Sequence, residues 1–137
     1  MLKQLFLSVL IGLSSLASDV SSAYANDYLC KIERIDTSRS SLAEFYQSFI
    51  GKEFSVERAS GIMAGALKNN YVLPPEVVDL GSNENSYKVI ASLKQGQGAG
   101  PGSNVYLLTI NEYETSAKKP FLFAQNDIVY FGYCTHF

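Results

Sequence analysis

The sequence predicts an all-β protein, a single small antiparallel meander of seven or eight strands that curls into a barrel or a two-sheet sandwich. Runs rich in β-branched and aromatic residues alternate with polar residues at a period of two, and turn-forming clusters separate the runs by about ten residues. The two cysteines, Cys30 and Cys134, stand in the first and the last of these runs. A barrel is favoured because pairing the first strand with the last would remove exposed sheet edges, which invite aggregation.

Residues 1–25 have the layout of a secretory signal peptide. Met1–Lys3 form a short positive start, residues 5–16 form an apolar run diluted only by Ser and Gly, and Ala23–Ala25 form a small-x-small cleavage site. A membrane anchor is the alternative, but the apolar run is shorter than the roughly 20 residues that a spanning helix needs. We therefore expect a cleaved leader, export to the bacterial periplasm or secretion, and no stable membrane insertion.

Residues 26–137 are predicted to form one β-rich domain. Removal of 25 of the 137 residues leaves 112, which suits one domain and is too few for two. Lys3 and Asp19 leave with the leader, so the formal net charge stays at −2. The basic residues are scattered, with Lys118-Lys119 the only adjacent pair. Nucleic-acid binding is not expected, because it requires a clustered basic surface.

Cys30 and Cys134 are expected to form a disulfide, because two cysteines in an exported chain usually pair. Two free buried thiols are the alternative. The bond would tie the beginning of the sheet to its end.

The first predicted strand is Tyr28–Ile35, in which apolar and polar residues alternate. Ser41 and Glu44 then have capping-box spacing, which predicts one short helix near residues 41–50 lying across an open end or face of the sheet. Gly51 suits the position just past the end of this helix. The apolar face of the helix would consist of Leu42, Phe45, Tyr46 and Phe49.

A hairpin is predicted after the helix. Its arms are the alternating run at 52–57 and the run Ile62–Ala64. Gly61, at the end of the connector, can supply the positive φ that a four-residue hairpin turn commonly needs.

The middle of the chain is less regular. Tyr71–Leu73 begins a run that Pro74-Pro75 stops, since neither proline can donate a ladder hydrogen bond. Strands are predicted to resume at 76–80 and at 87–94, on either side of a turn cluster.

The last third of the chain predicts a glycine-rich tip and a closing hairpin. Residues 96–103 hold glycines at every second position from 96 to 102, which favours a mobile hairpin tip. Residues 104–113 form the longest strand candidate. The closing hairpin has arms at 121–124 and 128–134, joined by the polar residues 125–127.

Catalysis is not predicted. His136, the only histidine, stands next to the end of the chain and is expected to be solvated, and a disulfide-bonded Cys134 cannot be its nucleophile. The pairs Glu53/Glu57 and Glu112/Glu114 each lie on one side of a strand, which is more typical of a solvated face than of acid–base chemistry. One histidine without a free thiol leaves only carboxylates for a metal. No catalytic residue, metal or cofactor is therefore expected.

The glycine-rich residues 96–103 do not form a P-loop, which requires Lys-Ser or Lys-Thr after the last glycine and then a helix. Here Ser103-Asn104 leads into a strand. A flexible loop that orders on meeting a partner is favoured over nucleotide binding.

Recognition is predicted at the loops, because small β-domains usually carry it there. The predicted binding residues are Arg58, Ser60, Gly98, Gly100, Gly102 and Tyr106. Tyr113 and Tyr130 are further candidate aromatic contacts. The alternative for each tyrosine is a core position with a hydrated hydroxyl.

The leading functional hypothesis is an exported, non-enzymatic binding protein that contacts a protein or an envelope component. In its general layout the mature chain is similar to the small periplasmic barrel proteins that inhibit lysozymes, which are exported all-β domains with one disulfide. The resemblance includes no diagnostic motif, since Ser60-Gly61 and Gly102-Ser103 are too short to be one. The alternatives are a carrier of a small apolar ligand inside the barrel and a hydrolase.

Overall fold

The computed structural model describes residues 26–98 and 100–137, so the predicted signal peptide at 1–25 lies outside the described residues. Eight antiparallel strands form one curled half-barrel sheet, which confirms the predicted all-β meander. The strands are β1 (Tyr28–Thr37), β2 (Glu53–Val56), β3 (Met63–Gly65), β4 (Glu76–Leu80), β5 (Tyr87–Leu93), β6 (Asn104–Ile110), β7 (Lys119–Gln125) and β8 (Ile128–His136).

The predicted short helix lies between β1 and β2. A 3₁₀ turn, Ser40–Leu42, leads into α1 (Ala43–Gln47). The predicted capping box is wrong, because the residue before α1 is Leu42 and no side chain caps the helix. The chain enters through the 3₁₀ turn, whose N-cap Arg39 is held by two hydrogen bonds to Asp127 (2.7 and 2.8 Å). Gly51 has φ +86°, as its predicted position past the helix requires.

The first and last strands are neighbours in the middle of the sheet, whose order is β3-β2-β1-β8-β7-β6-β5-β4. Their pairing runs from Tyr28 opposite His136 to Thr37 opposite Ile128. Cys30 and Cys134 lie directly opposite each other in this ladder, with Cα atoms 3.9 Å apart, and they form the predicted disulfide. The disulfide therefore ties β1 to β8.

The pairing of β1 with β8 does not remove the sheet edges as expected, because β3 and β4 remain edge strands. We call the gap between these two strands the seam. β3 is only three residues long, and Pro74-Pro75 directly precede β4. Prolines lack the N–H that a ladder needs. The predicted run Tyr71–Leu73 consists of exposed bends rather than a strand.

Side chains replace the missing ladder along the seam. Asn69, which is 2% exposed, accepts a hydrogen bond from the Met63 N–H (3.0 Å) and donates one to the Gly61 carbonyl (2.9 Å), as a neighbouring peptide group would. Arg58 reaches from the turn between β2 and β3 and donates to the Leu80 carbonyl at the end of β4 (2.7 and 3.1 Å). Both edges are thus held without strand pairing.

The core lies inside the curl of the sheet. It consists of the inward-facing residues of the strands, which alternate with outward-facing ones. The register brings Gly132 of β8 so close to β1 that a Cβ there would lie 1.9 Å from the Lys31 carbonyl oxygen. The largest fully buried side chains are Tyr28, Tyr87, Phe54, Phe123, Ile32, Met63, Leu108 and Ile110.

The predicted β2–β3 hairpin turn is confirmed. The Gly61 N–H donates to the Glu57 carbonyl (2.8 Å), and Gly61 has φ +77°.

Within residues 26–98 and 100–137, no helix combines the length and the apolar character needed to cross a bilayer.

Candidate binding site at the helix end of the half-barrel

Chain connections alternate between the two ends of the sheet. One end, which we call the helix end, has α1, the segment 66–75, the loop 94–103 and the Asn126-Asp127 turn. The opposite end, which we call the turn end, has three connections, at 57–62, 81–86 and 111–118. Each end therefore presents a separate surface.

A groove of about 210 Å³ opens at the helix end. One wall is α1 and the residues just after it, the other is the segment that follows β3, and the floor comes from the β7–β8 hairpin. We call it the aromatic groove. The lining side chains that define it are Phe45, Tyr46, Phe49, Lys68, Tyr71 and Tyr130.

The rings of the aromatic groove pack on one another in layers. Phe49 meets Phe45 and Tyr130 edge-to-face, with centroids 5.7 and 6.2 Å apart. Tyr71 lies over Tyr106 with centroids 5.8 Å apart. Such ring pairs contribute about 0.5–1.5 kcal/mol beyond area burial. The lower rings are thus held in place beneath the upper ones.

The upper rings of the groove remain open to solvent. Phe45 is 60% exposed and Tyr71 is 57% exposed, although Phe45 was expected to lie on the packed face of the helix. Tyr46 and Phe49 do pack against the core. Three more apolar side chains near these two walls are also exposed, Ile50, Val72 and Leu73. Large exposed apolar patches mark interaction sites in soluble proteins.

The charged residue among the groove-lining side chains is basic. Lys68 lines the groove, and the Lys52 ammonium lies 5.0 Å from the centroid of the Phe49 ring. Burial, with the nearby hydroxyls of Tyr46 and Tyr71, raises the pKa of Tyr130 to about 12, so its hydroxyl stays neutral at physiological pH.

The predicted binding residues lie at opposite ends of the sheet. Arg58 and Ser60 are at the turn end, whereas Gly98, Gly100 and Gly102 belong to the loop 94–103 at the helix end. The structure does not bring the two groups together, and their role in binding stays a prediction.

The Arg58 guanidinium already donates a hydrogen bond to the Leu80 carbonyl. The backbone carbonyl of Arg58 accepts a hydrogen bond from the Tyr87 hydroxyl (2.9 Å). The Ser60 hydroxyl oxygen accepts from the Ile62 N–H (3.2 Å). These contacts hold the turn and the seam in shape.

The predicted glycines of the loop 94–103 and the candidate tyrosines differ in how much space surrounds them. Gly100 has φ +91° and, like Gly102, has open space around it, while Gly98 packs beside Leu93. Tyr106 is 4% exposed and supports Tyr71 from below. Tyr130 is buried in the groove floor, and Tyr113 is exposed in the 111–118 loop.

A hydrogen-bonded cluster at the turn end was missed by the sequence analysis. Glu112 accepts from the Tyr28 hydroxyl (2.5 Å), and His136 Nε2 lies 2.9 Å from its other carboxylate oxygen. His136 Nδ1 lies 3.1 Å from the Asn26 carbonyl oxygen, so this histidine is half-buried rather than solvated. No local pattern could show this, because the three side chains come from distant parts of the chain.

The electrostatics of this cluster favour an ionised Glu112. Burial alone would raise the pKa of Glu112, but hydrogen bonds from Tyr28 and His136, with the charges of His136 and Arg58, outweigh it and lower that pKa. Burial and the same carboxylate raise the pKa of Tyr28 far above its usual range. Both carboxylate oxygens are used in structural contacts.

A second opening of about 190 Å³ lies on the outer face of the sheet beside the disulfide. Its charged lining is mixed and includes Lys31, Lys118, Glu33 and Glu53. Across the residues with described placement, no cluster of three or more His, Cys, Asp or Glu side chains could hold a metal ion.

The fold and these contacts define the class of the protein: a small disulfide-tied half-barrel with an aromatic groove at one end. The sequence matches no known protein-family model, and comparisons with curated proteins and with solved structures likewise find no match.

Proposed function

We propose that the protein is an exported, non-enzymatic binding module that acts in the bacterial periplasm or outside the cell and recognises a partner through the aromatic groove. The observation that carries the proposal is the pair of exposed rings, Phe45 and Tyr71, on opposite walls of the groove above a packed aromatic floor. Aromatic side chains in pockets are the residues that most often dominate binding energy at interfaces.

Export is supported by the disulfide between Cys30 and Cys134. Such bonds persist in oxidising compartments outside the cytosol. The signal-peptide layout of residues 1–25 agrees with it.

The packed interior favours a binding module over a carrier. Large side chains such as Tyr87, Phe54 and Phe123 fill the inside of the curl and are at most 1% exposed. A carrier would need that volume for its ligand. Native mass spectrometry of the purified protein should therefore show the mass of the chain alone, and a co-purified small molecule would support the carrier.

The turn-end cluster favours a structural role over hydrolysis. Glu112 contacts Tyr28 and His136, and His136 contacts a backbone carbonyl. Nucleophilic catalysis would instead require a serine or cysteine within hydrogen-bond reach of the histidine.

The test is quantitative capture from an envelope extract on immobilised protein. The double variant Phe45→Ser/Tyr71→Ser removes both exposed rings. Aromatic anchors cost about 2 kcal/mol or more on truncation, so capture of the specific partner should fall by at least about tenfold. Because both side chains are largely exposed, far-UV circular dichroism should stay unchanged.

The matched control is Val78→Ser/Val105→Ser, which removes two apolar side chains that are 60% and 54% exposed on the sheet. Capture by this control should equal that of the wild type. Equal capture by the groove variant and the wild type would contradict the proposal. A third protein, with residues 96–103 shortened to a two-residue turn, tests the predicted glycine loop separately.

A further inference from the structure

We infer that the aromatic groove receives one aromatic side chain of a protein partner, with a carboxylate beside that ring facing Lys68. This inference rests on the proposed function and adds the chemistry of the partner. It follows from the size, the lining and the charge of the groove.

The size of the groove suits a single ring. A cavity of roughly 150 Å³ in a protein core is enough to hold benzene. The groove, at about 210 Å³, is large enough for one phenyl ring or indole. One side chain, rather than an extended chain, therefore fits it.

The lining presents rings at two angles to an incoming group. Phe45 stands edge-to-face on Phe49, with planes at 68°, and Tyr71 forms the opposite wall. An aromatic guest between them can pack edge-to-face on one wall and offset on the other, which are the preferred geometries for ring pairs. Because Tyr106 backs Tyr71 and Tyr130 backs Phe49, the walls are already ordered before binding. Prior ordering lowers the entropy cost of association.

The charge of the lining favours an anion next to the ring. Lys68 is the charged residue among the groove-lining side chains, and it forms no ion pair with the described remainder of the chain. Lys52 adds a second positive charge near Phe49. Complementary charge at an interface steers association and selects partners.

A protein side chain suits this lining better than a sugar. Each sugar hydroxyl that is buried without a hydrogen bond costs free energy. Besides tyrosine hydroxyls, the groove offers Gln125 and Lys68 as polar side chains. A phenyl or indole ring makes no comparable demand, so the observations favour a protein anchor over an envelope glycan.

The experiment is a ¹⁵N–¹H NMR titration of the oxidised full domain, residues 26–137, with three probes. Phenylacetate and benzylamine share a ring and differ in the sign of their charge, and N-acetylglucosamine represents a glycan. Phenylacetate should shift the amide signals of residues 45–49 and 66–71, and it should bind about threefold or more tightly than benzylamine. N-acetylglucosamine should bind most weakly.

Lys68→Glu should reverse the preference between phenylacetate and benzylamine. Lys68 is exposed, so the fold should persist, and the same spectra report it. The control is Lys94→Glu, which replaces an exposed lysine in the loop 94–103. It should leave the order of the probe affinities as in the wild type.

Three results would overturn the inference: equal binding of the two charged probes to the wild type, shifts confined to the outer-face opening, or tightest binding by N-acetylglucosamine. If any of these results occurs while Phe45→Ser/Tyr71→Ser still loses capture, the proposed binding function is retained. Only the inference about the chemistry of the partner is then refuted. Unchanged capture by that double variant would instead remove the proposed function itself.

Discussion

Removing the disulfide should cost a large share of the stability of this domain. The bond joins Cys30 to Cys134 across 104 positions, so it closes a loop that contains almost the whole domain. In the chain-entropy treatment, closing a loop of roughly 100 residues stabilises the folded state by about 4.7 kcal/mol at 25 °C. The total stability of a domain this size is about 5–15 kcal/mol. The variant Cys30→Ala/Cys134→Ala should therefore be marginally stable.

The assay is urea unfolding of the wild type and the double variant, followed by far-UV circular dichroism and tyrosine fluorescence. The unfolding free energy should fall by about 4–5 kcal/mol. The m-value should rise, because a denatured chain without the cross-link exposes more surface.

Single variants provide the control for this prediction. Cys30→Ala and Cys134→Ala open the same loop, so each single variant should lose about as much stability as the double variant. A loss below about 1 kcal/mol in the double variant would refute the loop-entropy reasoning, because it would mean that the denatured chain already keeps β1 near β8.

Three further predictions concern single side chains. Asn69→Ala should lower the unfolding free energy in urea by about 3 kcal/mol, since it leaves the buried Met63 N–H and the Gly61 carbonyl without partners; an unchanged value would contradict the role of Asn69 at the seam. Glu112→Gln should cost about 1.5 kcal/mol at pH 7. Because the lowered pKa of Glu112 stabilises the fold only above its unfolded-state value, that difference should vanish as the pH falls through the folded-state pKa, and a constant difference down to pH ~2 would contradict it. Gly132→Ala should destabilise by about 3 kcal/mol or more in thermal unfolding, because its Cβ would overlap the Lys31 carbonyl; a wild-type melting temperature would contradict that register.

Local sequence patterns were sufficient for most of the fold. Alternation placed all eight strands to within a few residues, although β6 ends at Ile110 rather than at 113. Gly51 and Gly61 were assigned from turn chemistry, and both have the positive φ that this chemistry requires. The capping box was wrong because the chain enters α1 through a 3₁₀ turn, whose N-cap Arg39 contacts Asp127 far along the chain.

The candidate site was less predictable than the fold. The groove combines Phe45 after β1 with Tyr71 after β3 and Tyr130 in β8, and no spacing between these positions signals their proximity. Tyr106 and Tyr130 were singled out as aromatic contacts, and the structure places Tyr106 beneath the groove and Tyr130 in its floor rather than on its rim.

The sequence by itself determined the β-class, the hairpins and the pairing of Cys30 with Cys134, because these depend on neighbouring residues and on the scarcity of thiols. Only the tertiary structure decided that the sheet stays open at the seam, that Glu112 meets His136, and that aromatic rings gather at the helix end. Such contacts join residues far apart in the chain, and the curl and register of the whole sheet decide which of them meet.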